Sequence, residues 1–329
     1  MPDISPRNSF CHQPALAAAL MALMLLMSAC SAAVPSPSPT YQPSAAVTLP
    51  APTLTVPAVT STSQAITPAA TSTPGYDPTR PESWKELPII PASLSQAVRD
   101  LYAKGQTSGL NQRAFSKVGD CETYSPYFLA PFDMSQTGYR LGEQYASLAD
   151  TVSYFEGSFE RVSLAANPGF SVASVLSPLW ADAQTCRTNE SPLVCEIRIH
   201  KPAVMLVMFG TNDVKTSSRA GFEANLKRLL DIALANNVVP VLVTKADNLE
   251  GDDSMNAIIA QVAYEYDLPV LNLWRAMHDL PQNGLMEDGI HLTYAQPFFD
   301  APENMQMGWP VRNLVTLQML AFLHNELGE

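Results

Sequence analysis

The sequence predicts a three-layer α/β/α fold built on a five-stranded parallel sheet, and two observations predict it. Strand candidates at residues 115–118, 160–164, 204–209, 238–244 and 268–271 alternate with segments of helical periodicity. Strands that alternate with helices pair in parallel, with helices on both faces. The run at residues 204–209 is apolar throughout, so both its faces need covering, which is the habit of an inner parallel strand. It stops at Gly210, and Thr211, Asn212 and Asp213 follow where an open α/β sheet binds its ligands. Those residues either hold a turn with their own side chains or present an amide and a carboxylate to a site.

Taken in order, the chain begins with what reads as an export signal, residues 1–30. Arg7 and His12 make a weak polar start, and residues 15–27 form an apolar core of signal length, short of the roughly 20 residues that span a bilayer. The core ends Leu26-Met27-Ser28-Ala29-Cys30, which resembles the lipobox of bacterial lipoproteins. That resemblance implies that Cys30 is lipidated, becomes the mature N-terminus and anchors the chain at the outer face of the cell membrane. A plain secreted protein is the alternative. Residues 31–83 are rich in Ser, Thr, Pro and Ala, with no charged side chain before Asp77. Such a segment cannot bury enough apolar surface to offset its ordering entropy, so a disordered linker is expected. At about 3.1 Å per residue it holds a domain up to roughly 150 Å from its anchor.

A single folded domain is expected over residues 84–329. Ser93, with Gln96 three residues on, reads as the cap of a helix carrying Leu94, Val98, Leu101 and Tyr102 and stopping at Gly105. Phe222, Leu226, Leu229, Leu230 and Ala233 trace one face of a helix over residues 218–237. Another helix covers residues 254–266, and a last one starts at Pro310, a residue suited to the first helical position.

Composition narrows the partners. The net charge of -12, with no cluster of Lys or Arg, excludes a nucleic-acid surface and makes neutral substrates the natural expectation. No metal is expected, because His200, His278 and His324 have no ligand-type residues at metal-binding spacing, and Asp252-Asp253 fit a helix start better than a metal site. No cofactor is expected either. Of the five cysteines, Cys11 falls in the signal and Cys30 in the lipobox. Cys186 and Cys195 flank a short polar loop and would close into a disulfide outside the cytoplasm, a bridge worth about 2–3 kcal/mol; two unpaired core thiols are the alternative. Cys121 is the odd one out.

Four loops carry polar residues out of proportion to their length: Gly119-Asp120-Cys121, Asn167-Pro168-Gly169, Gly210-Thr211-Asn212-Asp213 and Asp288-Gly289-Ile290-His291. Asp288 and His291 are spaced so that the carboxylate can reach the imidazole and fix its tautomer; an N-cap Asp beside an uninvolved His is the plainer alternative. Together, in this order, the four loops resemble the SGNH (GDSL) hydrolase family. In that family Gly-Asp-Ser follows the first strand, a Gly the second and Gly-x-Asn-Asp the third, with Asp-x-x-His near the C-terminus. The resemblance implies a flavodoxin-like SGNH fold and hydrolysis of a small-molecule or polysaccharide ester, with deacetylation of extracellular glycans the first substrate class to test. It also implies that Cys121 stands where the family has its nucleophilic Ser. Cys121 would attack, His291 would carry the proton, Asp288 would orient His291, and the amides of Cys121 and Gly169 with the Asn212 side chain would form an oxyanion hole. Asp120 and Asp213 would brace the loops. A Cys beside a helix N-terminus and a His is expected to have a lowered pKa. The substitution leaves a rival reading open, a catalytically degenerate domain that binds glycan or cell-wall material. Tyr124, Tyr127, Phe128 and Phe132 are either a platform for a sugar or acyl chain or packing residues.

Overall fold

The computed structural model describes residues 76–134 and 138–328. The export signal, Cys30 and most of the linker lie outside them. Strands β1 (Asn111–Gly119), β2 (Pro202–Met208), β3 (Val239–Val243) and β4 (Val270–Leu271) form one parallel sheet in the order β1-β2-β3-β4. Every residue of β2 and β3 is buried, as their unbroken apolar runs require. Helices Pro192–His200, Arg219–Ala235 and Ser254–Glu265 precede β2, β3 and β4 in turn. Right-handed crossovers place these three on one face. Helix α1 (Gln96–Thr107) and the last helix, Gly308–Leu327, belong to the other face, and Arg99 of the first is ion-paired with Glu326 of the second.

Four strands form where five are expected. Residues 160–164 are not a strand, and the fifth position is reduced to a single parallel bridge between Gly119 and Ala166. Side chains have taken the bonds that a strand would have used. Arg161 Nη2 donates to the Phe115 carbonyl at 3.1 Å, and the Phe115 amide donates to Ser158 Oγ at 3.4 Å. Buried Glu196 accepts the Leu164 amide at 2.9 Å. The bridge still leaves residue 166 outside β1 while the chain returns to β2 on the inner side. The winding therefore reverses at β1, and its carboxyl end is the point where such sheets form a crevice.

Helix boundaries shift modestly from the sequence reading. Ser95, not Ser93, caps α1, its Oγ accepting the Val98 amide at 3.2 Å. The cap at Ser218 and the buried face Phe222, Leu226, Leu229, Leu230 and Ala233 stand as read. Ordered packing starts before Trp84: Tyr76 lies 5.2 Å from the Tyr264 ring, and residues 77–83 form a hydrogen-bonded turn whose Ser83 is buried. Composition alone assigns these residues to the linker, because their partners lie far along the chain. Among the described residues no helix is long and apolar enough to cross a membrane.

Candidate active site

The strand β1 delivers Cys121 directly to the crevice. Gly119 ends the strand where a Cβ would meet Thr123 Oγ1 at 2.4 Å and the Met208 carbonyl at 2.5 Å, so only glycine lets the chain turn there. Asp120 caps the four-residue helix α2 (Cys121–Tyr124) by accepting the Glu122 amide at 3.1 Å. Cys121 is half-buried, and it is the free cysteine of the described residues. Asp120 is 1 % exposed, and its second carboxylate oxygen has no hydrogen-bond partner. Burial pushes its pKa up to about 7.

The thiol departs from expectation. Its pKa is pushed up to about 11, first by burial and then by the carboxylates of Asp120 and Glu122. A four-residue helix adds little field of its own, and the two acids outweigh it. The thiol therefore keeps its proton at neutral pH.

Residues 288–291 form a tight turn rather than a helical one: Asp288 Oδ1 accepts the amides of Ile290 at 2.9 Å and His291 at 3.0 Å. Asp288 Oδ2 bonds His291 Nδ1 at 2.6 Å, leaving Nε2 as the open ring nitrogen. Both side chains are about half exposed. The bond lowers the pKa of Asp288 to about 2 and raises that of His291. The next residue, Leu292, donates its amide to Glu122 Oε1 at 3.4 Å, so the imidazole loop rests on the residue beside the thiol. Among the described residues no hydrogen bond joins Cys121 to His291, a contact that often tightens only when substrate binds.

The other two loops are tied to each other. Asp213, fully buried, accepts the Val172 amide at 3.0 Å and the Gly210 amide at 3.2 Å, and burial raises its pKa to about 6. Asn212 donates one amide hydrogen to the Phe170 carbonyl at 3.0 Å, which leaves its second hydrogen uncommitted. Gly169 is exposed with φ +85 and open space where a side chain would lie. The structure thus ties Gly169, Asn212 and Asp213 together through Phe170 and Val172, and ties the loop of His291 to the turn of Cys121 through the Leu292–Glu122 bond.

Sequence reasoning missed several participants. Glu122 is buried within the turn that carries Cys121, Arg312 is buried against it, and Thr211 bonds Asp247 at 2.7 Å. The acidic pair flanking Cys121 was the available signal for Glu122; nothing local marks Arg312. Of the four aromatic candidates, Phe128 and Phe132 are core, whereas Tyr124 and Tyr127 are exposed. The Tyr127 ring lies 4.6 Å from that of Tyr294, three residues beyond His291, the two tilted at 48°. A cavity of about 300 Å³ opens beside the turn, lined by Lys117, Thr123, Tyr124, Ser125 and Ser163 among others.

Residues 169–295 match the model of the GDSL-like Lipase/Acylhydrolase family. The match takes in Gly169, Asn212, Asp213, Asp288 and His291 and begins beyond Cys121. No curated protein matches the chain. Among solved structures, a GDSL-like lipase from Bacteroides thetaiotaomicron is similar at 14% identity, covering 68% of this chain and 97% of its own, with a TM-score of 0.38. A catalytic mutant of an acetylxylan esterase from Geobacillus stearothermophilus is similar at 16% identity, covering 65% of this chain and 95% of its own, with a TM-score of 0.41.

Proposed function

We propose that this chain is an ester hydrolase of the SGNH (GDSL) type, transferring an acyl group to water through Cys121, His291 and Asp288. The observation that carries it is the 2.6 Å Asp288–His291 bond on a loop seated against the turn of a free cysteine at the carboxyl end of β1. Cys121 Sγ attacks the ester carbonyl while its proton passes to His291 Nε2. Because the thiol is not ionised beforehand, this transfer accompanies attack, as it would for a hydroxyl. The amides of Cys121 and Gly169 and the second hydrogen of Asn212 receive the oxyanion. Collapse of the tetrahedral species leaves a thioester, and His291 protonates the departing alcohol. Water, deprotonated by His291, then cleaves the thioester, releasing the acid and restoring the thiol. Asp120 and Asp213 brace their loops.

The substrate class is a neutral small-molecule or glycan ester, with acetylated polysaccharide first. The exposed Tyr127 and Tyr294, their rings tilted at 48° to each other, offer aromatic surface for a sugar ring, and the cavity beside Thr123 is of ligand size. The protein acts outside the cytoplasm, held to the membrane by a lipid on Cys30.

One observation favours a second reading, a glycan-binding domain without turnover: the thiol is held protonated and makes no bond to His291. Comparison of the native protein with Cys121→Ser on aryl acetates and thioesters separates the two. Native activity that falls in the Ser variant supports the thiol enzyme. A native protein that is inert, with a Ser variant that turns over, removes the thiol-enzyme reading and leaves the degenerate domain.

A further inference from the structure

The side chain of Glu122 turns away from solvent and is 7 % exposed. Oε1 accepts the Leu292 amide at 3.4 Å, and Oε2 lies 3.5 Å from Arg312 Nη1. Arg312, 1 % exposed, comes from the last helix. Its Nη1 donates to the Glu122 carbonyl at 2.7 Å, and Nη2 donates to Thr123 Oγ1 at 3.4 Å. The guanidinium lies 3.9 Å from the Phe128 ring centroid. Three segments far apart in sequence therefore meet on one carboxylate: the nucleophile turn, the imidazole loop and the last helix.

We propose that Glu122 is the positioning residue of this site, fixing the His291 loop against the Cys121 turn and supplying the charge that both reacting groups face. The proposal rests on the Cys121–His291 reading above. A buried ion pair costs desolvation that apolar residues of similar size would not, so its charge rather than its bulk distinguishes it here. The groups facing Glu122 are Arg312 from the last helix, Asp120 and Cys121 from its own turn, His291 from its loop and Asp247 beyond β3. Its negative charge opposes a thiolate at Cys121 and favours an imidazolium at His291. When the proton moves from Sγ to Nε2, the second effect offsets the first. The thiolate then forms only together with its imidazolium partner and does not persist alone.

Alkylation of Cys121 by iodoacetamide across pH 6–11 tests this without needing turnover. In the wild type the rate should rise only well above pH 9; a midpoint at or below the ordinary cysteine value of about 8.5 overturns the proposal even if no variant folds. Glu122→Gln keeps the volume and an acceptor for Leu292, and should alkylate several-fold faster at pH 8, because the carboxylate is one of the groups that hold the thiol protonated. Glu122→Asp, which keeps the charge, should stay within about threefold of wild type. A Gln variant that is folded by circular dichroism and alkylates like wild type overturns the proposal. If native protein hydrolyses no ester yet the Gln shift is present, the hydrolase reading fails and the role of Glu122 stands.

Discussion

A carboxylate 2.6 Å from an imidazole nitrogen fixes the tautomer of His291 and raises its pKa above the ordinary value. The imidazole takes a proton only when neutral, so the acid limb of the rate profile should lie above the usual histidine range. Asp288→Asn removes the charge, lowers the His291 pKa and moves that limb to lower pH. It also withdraws support from the imidazolium, and kcat should fall by about 10²–10⁴. A pH–rate profile of both proteins checks the two effects together; a limb that stays in place shows that Asp288 does not act through His291. Spacing made the pair possible and the order of the four loops singled it out, though the turn that joins the two residues is not the helical one the spacing suggested. The charge state of Cys121 was not legible, because a nearby helix N-terminus and His can be read from sequence, whereas burial and the direction in which Glu122 points cannot.

At the scale of elements, the outer edge of β1 is closed by side chains, and Glu196 is central to it. It lies on the helix Pro192–His200, fully buried, bonding Ser116 Oγ and the Leu164 amide and pairing with Arg161 at 2.8 Å. The Cys186–Cys195 disulfide, with Cα atoms 5.4 Å apart, ties that helix to the preceding loop, where Glu190 is bonded to Arg198. Reduction should therefore loosen the sheet edge as well as the loop, lowering stability by about 2–3 kcal/mol in the chain-entropy model. Urea unfolding with and without reductant measures it, and coincident curves would mean that the bridge contributes nothing. β2 and β3 were readable because an apolar run announces a strand buried on both faces. Residues 160–164, Glu-Arg-Val-Ser-Leu, carry only Val162 and Leu164 as alternating apolar positions, and the hydrogen bonds a strand would have made there belong to Arg161, Ser158 and Glu196; no local pattern reveals a competitor for an edge.

At the scale of the whole molecule, a crevice at the carboxyl end of β1 is joined in sequence to a long uncharged segment and a lipobox-like Cys30. If Cys30 carries the anchor, Cys30→Ala should move the protein from the membrane fraction to the soluble fraction while the domain keeps its thermal midpoint; unchanged retention would remove the anchor reading. The protonated thiol has a further consequence for how such a chain reaches its covalent form. Thiol–disulfide exchange proceeds through the thiolate, and a group of pKa about 11 is ionised in roughly one molecule in ten thousand at pH 7. Cys121 is therefore a poor attacker of the Cys186–Cys195 bond, whose Cys195 is itself fully buried. Three cysteines in one domain allow three pairings. Burial and the acidic turn, which together slow the thiol, keep the folded domain in one of them.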